Sequence, residues 1–302
     1  MARRKVQFEG ILPAMVTPMK ADGSVDEDGL ARLTERLIRA GNGGLIPLGS
    51  TGEFNFMTNA ERRRVAEVVI EAAAGRVPVM PSTGATTTRE AIELSQHAQQ
   101  AGASGVMVIP PYYEPLPFKT ILEFYRALAA SIDIPIIFYQ LPAATNVKLT
   151  PAQVGELAGI DGVDWIKDSS ADAVALTEMI QRYSDRIGVM NGWDTLTFFG
   201  LVSGTPASVW GAANVIPDLC VELFDAAARR RDLDAARAVW KRIWPIVNFL
   251  ETSPTGYVSA VKAGCDLVGE PAGDPRLPLL PLSAGDRATL KGLLQTAGVK
   301  TA

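Results

Sequence analysis

Short apolar runs alternate with segments of helical periodicity along the first two thirds of the chain, and this alternation constrains the fold more than any other feature. The apolar runs, which we interpret as strands, lie at 10–19, 45–48, 77–81, 105–109, 135–139, 163–167, 187–190 and 207–210. Strands that alternate with helices form right-handed βαβ units and a parallel sheet. About eight strand-helix pairs in the first 217 residues therefore predict an α/β fold, a closed (β/α)8 TIM barrel.

The main competing fold is a doubly wound open sheet. Such a sheet is expected to carry a phosphate-binding fingerprint, and the chain has neither G-x-G-x-x-G after its first strand nor a Walker A lysine loop. The barrel is therefore favoured. Strand-like runs stop at Asp218, so we expect a catalytic barrel over 1–217, and a last barrel helix with a C-terminal helical subdomain over 218–302.

Charge and residue usage exclude several classes of function. A net charge of −4 gives no positive surplus for a polyanion, so we expect no nucleic-acid partner. No apolar run approaches membrane-spanning length, so we expect no membrane partner and a cytoplasmic location. With one histidine, His97, and two cysteines lacking metal-ligand spacing, Cys220 and Cys265, the chain predicts no metal site. No cofactor is expected.

Lys167 is the candidate reactive residue. It follows Val163, Trp165 and Ile166, a run of β-branched and aromatic residues typical of a buried strand. Desolvation at the end of such a strand disfavours the charged form of a lysine and lowers its pKa, which provides a free amine for attack on a carbonyl carbon. The product is a Schiff base. The alternative is a lysine that reaches solvent or pairs with Asp168.

Other polar residues are predicted at the carboxyl ends of the strands, where a barrel gathers its reactive groups. They are Ser50, Thr51, Tyr113, Tyr139, Asp194 and the backbone around Val209. The GSTG turn at 49–52 offers backbone N–H groups and two hydroxyls to a carboxylate, although a plain tight turn is the alternative. The phenol of Tyr139 either moves protons or packs in the core with a satisfied hydroxyl.

An amine, a phenol and a carboxylate-binding turn together match the needs of a 2-keto acid. The amine condenses with the ketone, the turn holds the carboxylate, and the phenol relays protons. The protonated imine then accepts the electrons of a breaking C–C bond as an enamine, so that retro-aldol cleavage proceeds without a metal. The combination predicts a Schiff-base-forming lyase whose partner is a small-molecule 2-keto acid.

Five motifs resemble the dihydrodipicolinate synthase and N-acetylneuraminate lyase family of Schiff-base aldolases. They are GSTGE at 49–53, YY at 112–113, FYQLP at 138–142, IKD at 166–168 and GWD at 192–194, in the family's order and approximate spacing. The resemblance runs from about Gly10 to Asn214. It implies that Lys167 forms the imine, and that Tyr139 is the proton relay.

The resemblance further implies a homo-oligomer, a dimer or tetramer, in which Tyr113 contributes across a subunit contact. It also implies that Ser50 and Thr51 bind the carboxylate or join the relay, and that Val209 lends a backbone carbonyl. We therefore assign catalytic roles to Lys167, Tyr139, Thr51 and Tyr113, and substrate binding to Gly49, Ser50, Thr51, Gly192, Asp194 and Val209.

Two departures from the family bear on the substrate. Ala144 stands where the lysine-biosynthetic synthases carry an arginine for the second substrate's carboxylate, and Thr195 stands where the sialic acid enzymes carry a glutamate for sugar hydroxyls. Hydrogen bonds to charged groups are worth roughly 1.5–3 kcal/mol each, so the missing arginine argues against dihydrodipicolinate synthase activity. The missing glutamate argues against sialic acid as the substrate.

We therefore expect an aldolase or dehydratase acting on a 2-keto-3-deoxy sugar acid or a similar substrate, with pyruvate as product or donor. One alternative is 4-hydroxy-tetrahydrodipicolinate (dihydrodipicolinate) synthase. Another is a non-catalytic 2-keto acid binding protein on the same barrel, because a fold alone does not establish turnover.

Overall fold

Parallel strands of one sheet organise the computed structural model, which describes residues 6–302. The strands are β1 (Gly10–Pro13), β2 (Val106–Val108), β3 (Ile136–Gln140), β4 (Val163–Asp168), β5 (Gly188–Asn191) and β6 (Ala207–Trp210). Their order across the sheet is β1-β6-β5-β4-β3-β2, and every pairing is parallel. The α/β class predicted from the alternation of elements is confirmed.

Two of the eight predicted strands, at 45–48 and 77–81, do not form regular strands. They contribute isolated parallel bridges instead, Ala14 with Ile46, Leu45 with Val79, and, just beyond the second segment, Ser82 with Met107. Pro47, Pro78 and Pro81 have no N–H to donate to a ladder, and Leu48 adopts a left-handed backbone with φ 63°. The part of the chain that the structure describes thus holds six strands, and the eight-stranded closed barrel is not confirmed.

Helices follow the strands and then fill the C-terminal third. They are α1 (Glu27–Arg39), α2 (Asn59–Ala73), α3 (Thr88–Gln100), α4 (Phe118–Ala129), α5 (Pro142–Thr145), α6 (Pro151–Leu157), α7 (Ala173–Tyr183), α8 (Thr197–Ser203), α9 (Pro217–Phe224), α10 (Leu233–Thr252), α11 (Tyr257–Leu267) and α12 (Ala284–Thr296). The Thr58 hydroxyl and the Glu61 carboxylate form a capping box at the start of α2. No helix among residues 6–302 is both long and apolar enough to cross a membrane.

Side chains of strands β2 to β5 alternate between two hydrophobic clusters. In β3, Ile136 and Phe138 belong to one cluster, whereas Ile137 and Tyr139 belong to the other, as the two-residue period of a strand requires. The cluster that contains Tyr139 also contains buried residues of α10 and α11, such as Ile246. The C-terminal helices α10 and α11 contact the turns that follow the strands, such as Ser50–Gly52, and so lie near the candidate reactive side chains.

Candidate active site

Lys167 and Tyr139 are neighbours across strands β3 and β4. The parallel register pairs the two residues directly, so their side chains leave the sheet on the same face. The Lys167 ammonium nitrogen lies 4.1 Å from the centre of the Tyr139 ring. Both side chains are buried, with 5% of each exposed. The sheet thus places an amine and a phenol within reach of one small molecule.

Asp168 does not pair with Lys167, contrary to the alternative considered from the sequence. Its side chain lies on the opposite face of β4, where its carboxylate accepts hydrogen bonds from Gln140 Nε2 at 2.9 Å and from Ser170 Oγ at 3.0 Å. Burial raises the pKa of the Asp168 carboxyl. Among the described residues, no carboxylate lies within ion-pair distance of Lys167, so its side chain stays available to the cavity.

Gly192 provides the space that the Lys167 side chain occupies. A β-carbon at position 192 would lie 2.4 Å from Ser169 Oγ and 2.6 Å from both Lys167 Cγ and Cε. The Ser169 hydroxyl in turn donates to the Gly192 carbonyl at 2.7 Å. The glycine is therefore required by close packing against the lysine.

The GSTG turn folds into a single turn of 3₁₀ helix over Ser50–Gly52. Gly49 accepts the hydrogen bond from Gly52 N that closes the turn, at 2.9 Å, and the Thr17 hydroxyl donates to the Gly52 carbonyl at 2.8 Å. Ser50 and Thr51 line the cavity that contains the Lys167 side chain, whereas Gly49 does not belong to its lining.

These residues surround a cavity of about 200 Å³. It is lined by Ala14, Ser50, Thr51, Tyr139, Leu141, Lys167, Ser169, Gly192, Trp193, Asp194, Val209, Gly211, Glu251 and Tyr257. All the predicted site residues except Gly49 and Tyr113 belong to this wall. Tyr113 is 83% exposed and does not line this cavity, so its role across a subunit contact stays a prediction.

Among the lining residues that the sequence analysis missed, two are ionisable: Glu251 of α10 and Tyr257 of α11. The Tyr257 hydroxyl donates a short hydrogen bond to Asp194 Oδ2, which also accepts from Ala212 N at 3.1 Å. Burial raises the pKa of Asp194 to about 7, because these hydrogen bonds only partly offset the loss of solvent. The sequence signal was weak, since both residues lie in helices that follow the last strand.

Glu251 adds a second carboxyl group to the same wall. Its Oε1 accepts from the Thr195 backbone N–H at 3.3 Å, and burial raises its pKa. Among the described residues that line the cavity, Lys167 is the one cation. No cluster of three or more histidine, cysteine, aspartate or glutamate side chains within residues 6–302 is arranged to hold a metal ion.

Comparisons with known proteins agree with this arrangement. The model of the dihydrodipicolinate synthetase family matches residues 7–297. A 4-hydroxy-tetrahydrodipicolinate synthase of Methanothrix thermoacetophila is 38% identical over 290 residues, which cover 95% of this chain and 96% of the relative. An uncharacterised DapA-like lyase of Halobacterium salinarum is 36% identical over 292 residues, 97% of this chain and 95% of that protein.

Solved structures give the same result. YagE, a prophage protein of the dihydrodipicolinic acid synthase family from E. coli K12, was determined in complex with pyruvate. It superposes with a TM-score of 0.93 at 35% identity, over 98% of this chain and all of that one. With 36–38% identity to its relatives over nearly the whole chain, and with a lysine and a tyrosine together at the strand ends, the chain belongs to the dihydrodipicolinate synthetase family of lysine Schiff-base lyases.

Proposed function

We propose that Lys167 forms a Schiff base with a 2-keto acid, and that the enzyme cleaves a 2-keto-3-deoxy sugar acid, or a similar hydroxylated 2-keto acid, to pyruvate and an aldehyde. The observation that carries this proposal is the pairing of Lys167 with Tyr139, 4.1 Å from amine to ring centre, in a cavity that also contains the hydroxyls of Ser50 and Thr51.

The chemistry follows from these positions. The Lys167 amine adds to C2 of the keto acid and water leaves, which gives a protonated imine. Tyr139 accepts the proton of the C4 hydroxyl as the C3–C4 bond breaks, the aldehyde leaves, and the bonding electrons move onto the imine as an enamine. Protonation at C3 and hydrolysis then release pyruvate and restore the amine. The Ser50–Gly52 turn holds the carboxylate of the keto acid through hydroxyl and N–H donors.

The second candidate is 4-hydroxy-tetrahydrodipicolinate synthase, the name carried by relatives that are 36–38% identical over nearly the whole chain. Its second substrate, aspartate semialdehyde, brings another carboxylate. Ala144 supplies no cation for that group, and the Lys148 ammonium already pairs with Asp172 Oδ2 at 2.6 Å. The two acidic groups of the wall, Asp194 and Glu251, suit hydroxyls better than a second anion.

Two assays distinguish the candidates. Pyruvate release from 2-keto-3-deoxy acids, with negligible condensation of pyruvate and aspartate semialdehyde, is the expected result. Efficient condensation that collapses in Lys148→Ala would show that this lysine binds the second carboxylate, and would assign the enzyme to the synthases. Lys119→Ala, which truncates another exposed lysine that does not line the cavity, is the matched control.

We further propose that the sheet closes into the predicted (β/α)8 barrel. The isolated parallel bridges at Ile46, Val79 and Ser82 lie between β1 and β2, the two edges of the six-stranded sheet, and support closure. In such a barrel the reactive groups gather at the carboxyl ends of the strands, where Tyr139 and Lys167 stand.

We also propose that the chain assembles as a dimer or tetramer in which Tyr113 enters the partner's site. The resemblance of the YY motif at 112–113 to the family supports this proposal, and Tyr113, which is 83% exposed, is accessible to a partner. Sedimentation of the wild type and of Tyr113→Ala, each followed by a turnover assay, tests it: a monomeric wild type with full activity would refute it.

A further inference from the structure

Glu251 projects from a C-terminal helix into the wall that surrounds Lys167. We propose that Glu251 determines substrate specificity by accepting a hydrogen bond from a hydroxyl group of the 2-keto acid beyond the reacting carbon, so that the preferred substrates are hydroxylated and uncharged at that end. This inference rests on the proposed function and adds to it the residue that selects the substrate.

The position of Glu251 is fixed by the packing of its helix. Ile246, Val247 and Leu250 of α10 are fully buried in the core, and Glu251 follows them near the helix end. Its Oε1 accepts from the Thr195 backbone N–H at 3.3 Å, which ties the carboxylate to the segment after β5. Because the core holds the helix and Thr195 holds the carboxylate, Glu251 is positioned more firmly than a residue on a loop would be.

Glu251 differs from Asp194, the other acid in the wall. Asp194 Oδ2 already accepts from the Tyr257 hydroxyl and from Ala212 N, so this oxygen is occupied by the protein. Glu251 accepts the 3.3 Å bond from the Thr195 backbone N–H and is also stabilised by the Thr195 side chain and the Asp194 backbone, but it receives no bond as short as that from Tyr257, and no described cation pairs with it. A partly buried carboxylate in this condition gains most from donors that a ligand brings.

The charges in the cavity decide which donor fits. A second carboxylate on the substrate would face Glu251 and Asp194 with no cation beyond Lys167, which the imine occupies. A hydroxyl group donates to a carboxylate without adding charge to the site, and such charge-assisted bonds are short and strong. An ammonium group would also be attracted, and it is therefore an outcome that the test includes.

The test compares two substrates that differ by one hydroxyl group. Both 2-keto-3-deoxypentonate and 2-keto-4-hydroxypentanoate carry the C4 hydroxyl needed for cleavage, and only the first has a hydroxyl at C5. We expect the wild type to prefer the first, and Glu251→Ala to lower kcat/KM for it by roughly 10- to 100-fold, with a much smaller effect on the second. Glu251→Gln, which is nearly isosteric and keeps an acceptor, should lose less.

Thr252→Ala is the matched control, because Thr252 is exposed on the next position of α10 and its hydroxyl bonds only to the Asn248 carbonyl. Equal losses for both substrates in the Glu251 variants, or no loss for either, would overturn the proposal. So would a preference of the wild type for a 4-hydroxy-2-keto acid with a C5 amino group. Borohydride reduction with pyruvate separates the two levels: a wild type that forms no adduct refutes the proposed function, whereas a normal adduct without C5 discrimination refutes only the role of Glu251.

Discussion

Lys262 and Glu53 form an ion pair inside the protein: Nζ lies 2.7 Å from Oε1, and the side chains are 1% and 0% exposed. Glu53 directly follows the Ser50–Gly52 turn and has a left-handed backbone with φ 60°. Its Oε2 accepts from Arg276 N at 2.7 Å. Helix α11 and the chain after it therefore hold the turn that lines the cavity.

Breaking this pair on one side should be costly. Lys262→Met removes the cation and leaves the Glu53 carboxylate buried without it, so the free energy of unfolding should fall by ~3–5 kcal/mol. Urea denaturation measures the change, with Lys241→Met, an exposed substitution, as the control. A loss no greater than that of the control would show that the pair does not stabilise the fold.

Gly192→Ala should disable the lysine while leaving the fold in place. The new methyl group would overlap Lys167 and Ser169, and displacement of a reacting group by about 1 Å can cost about 10²-fold in rate. Steady-state turnover should therefore fall by about that factor. In Gly292→Ala, on α12, the added methyl group would meet nothing within 4 Å from the rest of the described chain beyond its own helix backbone, so this variant should turn over like the wild type. Full activity of Gly192→Ala would mean that Lys167 needs no such space.

Asp194 should make stability depend on pH. Its pKa is raised to about 7, whereas an unfolded aspartate titrates at ~3.9, so the folded state binds more protons between these values. Stability contributed by the protonated group is present at low pH and is lost as pH rises from about 4 to 7, on the order of 2–4 kcal/mol. Asp194→Asn should remove this decline. Urea denaturation from acid to neutral pH measures the free energy of unfolding of the wild type and the variant. The same pH dependence in both proteins would contradict the raised pKa of Asp194.

Tyr139→Phe should separate chemistry from folding. The ring stays buried beside Lys167, so the midpoint of thermal unfolding should change little. Loss of the hydroxyl should lower kcat by roughly 10²–10⁴-fold, as expected for a general acid–base group. When Phe138→Tyr is added to the Tyr139→Phe variant, the new hydroxyl lies on the other face of β3, so we do not expect it to restore the lost turnover. Unchanged kcat in Tyr139→Phe would remove the phenol from the mechanism.

Much of the candidate site could be predicted from the sequence, because polar residues directly after apolar runs meet at one edge of a parallel sheet. Lys167, Tyr139 and the Ser50–Gly52 turn were found in this way. Glu251 and Tyr257 could not be found, since they reach the cavity only through the packing of α10 and α11 against the turns that follow the strands. The helices that follow the last strand have no strand ends, so the sequence gives no sign of which of their side chains face the cavity.

Thr195 stands where the sialic acid enzymes carry a glutamate, and the sequence could not show that its backbone N–H donates to the carboxylate of another acid, Glu251. The count of eight regular strands was not confirmed, for a different reason. Apolar composition favoured strands at 45–48 and 77–81, but the prolines there interrupt the backbone hydrogen bonds and leave single bridges.

The most direct test of the account is reduction of the protein with borohydride in the presence of pyruvate, followed by peptide mass spectrometry. One reduced pyruvate adduct on Lys167 is expected, and none in Lys167→Arg, because a guanidinium group stays protonated and does not attack the ketone. Lys262, the other fully buried lysine of the described chain, is held by Glu53 and should remain unlabelled. An adduct on Lys262, or none on the wild-type protein, would contradict the assignment of Lys167 as the Schiff-base lysine.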